Sequence, residues 1–134
     1  MKKDIVLDLT MEALKGYTDL EQSKSLAEFL PIESADMHYL TYSMYEEYCD
    51  EIVYTANLGK HGMYDKCCIP CWSLAALLDV LPFPNLSKDN LGGDKVGWMV
   101  SVFPDNCRYD SFWQDNQVDA CYEMIMKLHE LKLL

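Results

Sequence analysis

The densest run of reactive side chains is Cys67-Cys68-Ile69-Pro70-Cys71. A Cys-x-x-Cys pair can cycle between dithiol and disulfide, and a helix N-terminus beside it favours the thiolate. Cys68-x-x-Cys71 falls at the start of a predicted helix, which meets half of that requirement. A thioredoxin-type motif also follows a strand and opens its helix with the first cysteine. Here residues 61–66 read as loop, and Cys71 is the cysteine nearest the helix. The same thiols offer a zinc reading, with Cys67 or Cys68 and Cys71 as one ligand pair and His61 as a third ligand. A structural zinc site takes four ligands, usually as two closely spaced pairs. Cys49 and Cys107 are isolated, so only half of that pattern is present. The plainer reading makes these cysteines small packing residues at a helix entry.

Other chemistry is sparser. His38 falls on a predicted strand, His61 in a loop and His129 near a helix end. No Ser–His–Asp or Cys–His pairing is placed by spacing, although such sites are defined by geometry rather than order. Gly92-Gly93-Asp94-Lys95 lacks the spacing of a phosphate-cradling loop. No catalytic residue is assigned, and zinc at the cysteine cluster is the one cofactor alternative.

The larger feature is electrostatic. No Lys or Arg occurs between Lys24 and Lys60, while Glu28, Glu33, Asp36, Glu46, Glu47, Asp50 and Glu51 are acidic. Tyr39, Tyr42, Tyr45, Tyr48 and Tyr54 share that stretch. Tyrosine combines apolar area with a polar tip, which suits interfaces. Tyr39, Tyr42, Tyr45, Glu46, Glu47, Tyr48, Asp50 and Glu51 therefore form a candidate surface for a basic protein partner, with charge steering the encounter. The competing reading buries alternate tyrosines beneath a sheet and leaves the acids to solvate its edge.

Composition limits the partners. The 134 residues carry 11 Lys plus Arg against 22 Asp plus Glu, a formal net charge of −11. Phosphate binding needs clustered cations, and the only arginine is Arg108. Direct binding to nucleic acid is disfavoured, and so is an anionic membrane surface. No run approaches the roughly 20 apolar residues that span a bilayer. Asp4 and Asp8 interrupt the apolar start Ile5-Val6-Leu7, so a secretory leader is not expected. A cytoplasmic, reducing compartment and reduced cysteines follow as expectations. Self-association is left open.

These candidates need elements to hold them. Thr18-Asp19-Leu20-Glu21 reads as a capping box opening a helix that Pro31 ends, over 18–30. His38–Tyr42 and Glu51–Thr55 read as strands of a hairpin joined by an acidic link over 45–50. Pro70 suits a helix start, giving a helix over 71–81. Residues 82–95 read as a long loop. Residues 96–103 and 109–113 give a second hairpin, and Asp115 or Asn116 caps a last helix striped by Val118, Cys121, Ile125 and Leu128. Residues 1–17 fit either a strand or a short helix.

The expected fold is one α+β domain over 1–134, ordered α-β-β-α-β-β-α. Its two hairpins join as a four-stranded, mostly antiparallel sheet under about three helices.

Glu21–Pro31, Glu33–Met37, Ile69–Leu78 and Val118–Met124 carry a resemblance. Together they resemble a group of small proteins from gut Bacteroidetes and their phages or mobile elements. The resemblance implies a bacterial or phage cytoplasmic protein, an accessory product of a mobile element. It supplies no activity and no site residues. The reading is therefore a non-enzymatic acidic interaction or accessory protein that binds a basic protein surface. The alternative is a small zinc- or thiol-dependent protein built on Cys67, Cys68 and Cys71.

Overall fold

The computed structural model describes residues 15–42, 47–55 and 68–134. Residues 17–80 form one compact unit, and 81–134 with Lys15 and Gly16 form another. The class is α+β, as expected. Among the described residues there are two three-stranded antiparallel sheets, one in each unit.

The first unit opens with α1 (Leu20–Ala27). Its cap is Asp19, one residue later than the predicted Thr18. Asp19 Oδ1 accepts from Gln22 N–H (2.8 Å), and Gln22 Oε1 accepts from Asp19 N–H (3.1 Å). Both residues can cap a helix in isolation. Thr18 is committed elsewhere: it is fully buried, and its hydroxyl pairs with Ser23 Oγ (2.7 Å) and accepts from Trp72 N–H (3.1 Å).

A 3-10 turn (Ile32–Ser34) leads into β1 (Met37–Tyr42), β2 (Glu47–Tyr54) and β3 (Cys68–Cys71), ordered β2-β1-β3. The β2 strand includes the stretch from Glu47 to Asp50, where the sequence predicts the hairpin link. The predicted helix over 71–81 is corrected at its start. Residues 68–71 are strand, and α2 spans Leu74–Val80.

Proline at position 70 fits that strand for a definite reason. Thr55 N–H donates to Asp36 O (2.9 Å), which fixes the ladder phase between β1 and β2. By alternation His38 turns its peptide groups to β2, and Pro70, opposite His38, turns its own away from β1. An outward position on an outer strand loses no ladder bond to a missing N–H. Trp72 also faces outward, and its carbonyl accepts from Thr18 N–H (2.9 Å).

The core of this unit gathers Leu26, Trp72 and Leu77, all fully buried. The Trp72 indole donates to Ser34 Oγ (2.9 Å), which satisfies the polar atom that burial of tryptophan would otherwise strand.

The second unit begins where a loop is expected, yet Asn85–Gly92 is β4. It pairs along its length with β5 (Lys95–Val102), and β6 (Tyr109–Asp110) flanks β5 on the other side. The four-stranded sheet joining both hairpins is thus corrected. Both sides of β1 and of β5 are occupied within their own units, so neither inner strand has an edge left to link the hairpins. Among the described residues the order of main elements is α-β-β-β-α-β-β-β-α.

Helix α3 (Gln117–Glu130) closes the chain as predicted. Asn116 Oδ1 accepts from Asp119 N–H (2.8 Å), and Val118, Cys121, Met124, Ile125 and Leu128 are fully buried. They pack on the face of β5 that carries the buried Val100 and Val102.

Candidate functional site

The cysteine cluster divides. His61 and Cys67 lie outside the described residues, and of Cys68 the backbone is described. Cys68 and Cys71 are the two ends of strand β3. Three residues of extended chain separate their Cα atoms by roughly 10 Å, beyond the about 7 Å a disulfide can bridge. Cys71 ends a strand rather than opening a helix, so the dipole expected beside it is not there. Its thiol is fully buried and donates to Thr18 O (3.4 Å), and burial pushes its pKa up. Burial likewise pushes the Cys121 thiol up, to about 12. Neither is a thiolate at neutral pH. Among the described residues no three His, Cys, Asp or Glu side chains come together as a metal site.

Among the described residues Ser73 and Asp36 make the closest hydroxyl–carboxylate contact. Ser73 donates its hydroxyl to Asp36 Oδ2, and Asp36 Oδ1 accepts from Ser73 N–H (3.0 Å). The Ser73 hydroxyl also accepts from Ala76 N–H (3.2 Å), so this pair anchors the start of α2.

The acidic, tyrosine-rich surface falls mainly on one strand. Glu47, Tyr48, Asp50 and Glu51 belong to β2, which is outermost in the order β2-β1-β3, and Tyr42 ends β1. Tyr45 and Glu46 lie outside the described residues. The register slips between Tyr39 and Thr41, so Cys49, Asp50 and Glu51 together face Leu40 as a bulge. Tyr54 closes the strand with its side chain 59 % exposed. Tyr39 behaves differently. It is half-buried, its hydroxyl donates to Thr18 O (2.8 Å), and its ring meets Tyr17 edge-on at 6.4 Å. Burial raises its pKa. Tyr39 is thus part of the packing around Thr18.

A second feature lies away from the residues that the sequence singles out. Beside β5 the chain runs through β6 and then bulges at residues 111–113. Val100 N–H donates to the Ser111 hydroxyl (3.0 Å), and Ser111 N–H donates back to Val100 O (2.9 Å). Pairing with β5 resumes at Gln114, which exchanges both backbone bonds with Trp98 (2.7 and 2.8 Å). The bulge puts Phe112 into water, 76 % exposed, beside a cleft of about 330 Å³ lined by Phe112, Glu123, Met126, Lys127 and Glu130. The cue in the sequence is Phe112-Trp113 within a polar stretch; its geometry depends on Glu123 in the following helix.

Comparison with family models, with curated proteins and with solved structures gives no match. No helix among the described residues is long and apolar enough to cross a membrane.

Proposed function

We propose that this chain is a non-enzymatic interaction or accessory protein that engages a basic protein surface. The observation supporting the reading is the location of the acid-rich run. Three of its seven acids, Glu47, Asp50 and Glu51, fall on β2, an outer strand of its sheet, and no Lys or Arg occurs from 25 to 59. An acidic edge repels like-charged strands and attracts cationic ones, raising the encounter rate with basic partners. The resemblance to proteins of Bacteroidetes and their mobile elements fits an accessory role in a bacterial cytoplasm.

The test is a comparison of wild type with a variant in which Glu46, Glu47, Asp50 and Glu51 are all changed to Lys. Partners retained from a bacterial lysate at low salt are identified for both, then purified and titrated directly. A basic partner that binds wild type, weakens with added salt and fails to bind the variant supports the reading. Equal binding to both proteins overturns it. Stoichiometric zinc in the purified protein, held by Cys67, Cys68 and Cys71 with His61, would favour the metal-dependent alternative instead.

A further inference from the structure

In β4, Asn85, Ser87 and Asp89 turn their peptide groups toward β5. The phase is fixed from the far side of β5, where Trp98 bonds Gln114 and Val100 bonds Ser111. Gly97, Met99 and Ser101 therefore face β4, opposite Asp89, Ser87 and Asn85. Leu86, Lys88 and Asn90 face outward. Asn90 N–H is already taken by Asp89 Oδ1 (2.8 Å), and Gly92 N–H by Asn90 Oδ1 (2.8 Å). At the other end Pro84 has no N–H to offer. Among the described residues, the open outward donors of this strand are Leu86 and Lys88, set symmetrically about Ser87. Every residue of β4 is exposed or half-buried.

We infer that β4 pairs antiparallel with β4 of a second copy of this chain, across a two-fold axis at Ser87. An antiparallel ladder between identical strands has its axis through a pair of like residues. An axis at Lys88 sets Lys88 against itself, and one at Asp89 sets Asp89 against itself; both are like-charge pairs. An axis at Leu86 matches Lys88 with Pro84 and forfeits a donor at each end. The axis at Ser87 matches each Leu86 with Lys88 of the other copy, and every open N–H finds a carbonyl. It also places Asn85 opposite Asp89 of the other copy, an amide opposite a carboxylate. The two sheets become one continuous six-stranded sheet, and both exposed edges are covered. An interface this narrow associates weakly.

Sedimentation equilibrium of the full chain, up to about 0.5 mM, tests this. The apparent mass should rise with concentration toward twice 15.5 kDa. Leu86→Pro removes an outward N–H and spares the β5 ladder, so it should weaken dimerisation by about tenfold or more. Ser87→Lys or Ser87→Glu alone should weaken it by about fivefold. Mixing the two Ser87 variants should restore the dimer, because a residue on the axis faces its own copy. A wild type that stays monomeric across the range overturns the inference. So does a dimer indifferent to Ser87→Lys, or a mixture of the Lys and Glu variants that associates no better than either alone. If Leu86→Pro fails to fold, the charge-swap pair decides the question.

Discussion

Glu123 holds the chain around Phe112 from both sides. One carboxylate oxygen accepts from Phe112 N–H (3.2 Å), and the other accepts from the Gln114 side-chain amide (2.8 Å). One α3 side chain thus spans the bulge and fixes the residue that it leaves exposed. Glu123→Ala should cost about 1–2 kcal/mol of stability, as expected for two hydrogen bonds to a charged acceptor in partial contact with water. Glu123→Gln should recover part of that, since it keeps one acceptor and cannot serve two donors. The local sign is faster hydrogen exchange at Phe112 in Glu123→Ala. Exchange as slow as in wild type would show that the clamp does not hold the bulge.

Gly97 lies where Leu91 and Trp113 converge on the sheet. A Cβ there would stand 2.6 Å from Leu91 Cδ1 and 3.3 Å from Trp113 Cε3. Leu91 is an exposed, flexible neighbour, so Gly97→Ala should cost only about 1 kcal/mol, near the low end for overpacking. The sign should reverse in a Leu91→Ala background. With the Leu91 contact removed, the partly exposed Trp113 need shift only a few tenths of an ångström, and exchanging Gly for Ala in a strand lowers unfolded-state entropy and stabilises by about 0.5 kcal/mol. A double-mutant cycle in urea measures the coupling. Additive effects would mean that Leu91 does not pack on Gly97.

His38 gives the first unit a dependence on pH. The ring is 4 % exposed, with Nδ1 at 3.1 Å from the Thr55 hydroxyl. Burial holds its pKa below the usual 6.5. The unfolded chain therefore binds this proton at a higher pH than the folded chain does. The contribution to stability is fully present above pH 6.5 and is lost as pH falls through the folded pKa. Histidine ring NMR should place the His38 midpoint below 6.5. Replacing His38 by Asn should remove that component of the stability–pH curve. A midpoint at or above 6.5 would contradict the burial argument.

Helix α3 was legible because its signals are local. A capping Asn116 precedes a stripe at Val118, Cys121, Ile125 and Leu128, and no tertiary partner is needed to read either. The strand β4 was not legible. Asn85–Gly92 has Leu86 and Leu91 as its two large apolar residues, one at an even and one at an odd position, so it shows no alternation, and its extended form comes from the ladder with β5. Pro70 is ambiguous in sequence because two environments tolerate a missing N–H, a first helical turn and an outward strand position. Only the phase of the ladder distinguishes them. Asp19 displaced Thr18 as the cap because Thr18 makes buried contacts to Trp72, distant in sequence. Of the candidate surface, the acid run is readable as charge, and the outer position of Glu47, Asp50 and Glu51 on β2 comes from strand order. Residue type alone puts Tyr39 on that surface, whereas packing against Tyr17 and Thr18 sets its role. The exposed Phe112 depends on a carboxylate eleven residues further on.

The end of α3 stores a strain that a single change should release. Lys132 N–H donates to His129 O (3.0 Å) and Leu133 N–H donates to Leu128 O (2.9 Å), the pair of bonds of a Schellman cap. Such a cap needs one residue in the left-handed region, and here it is Lys132 at φ 60°. A β-carbon in that conformation costs roughly 1–2 kcal/mol, which glycine avoids. Glycine also loses more entropy on folding, which offsets part of the gain. Lys132→Gly should therefore stabilise the second unit by about 0.5–1 kcal/mol, although it removes a cation from the negative end of the helix. Lys132→Ala supplies the control, because it removes the charge and keeps the strain, and should give no stabilisation. Urea titrations of both variants are sufficient. A glycine variant no more stable than the alanine one would show that the left-handed residue is not where the helix end is strained.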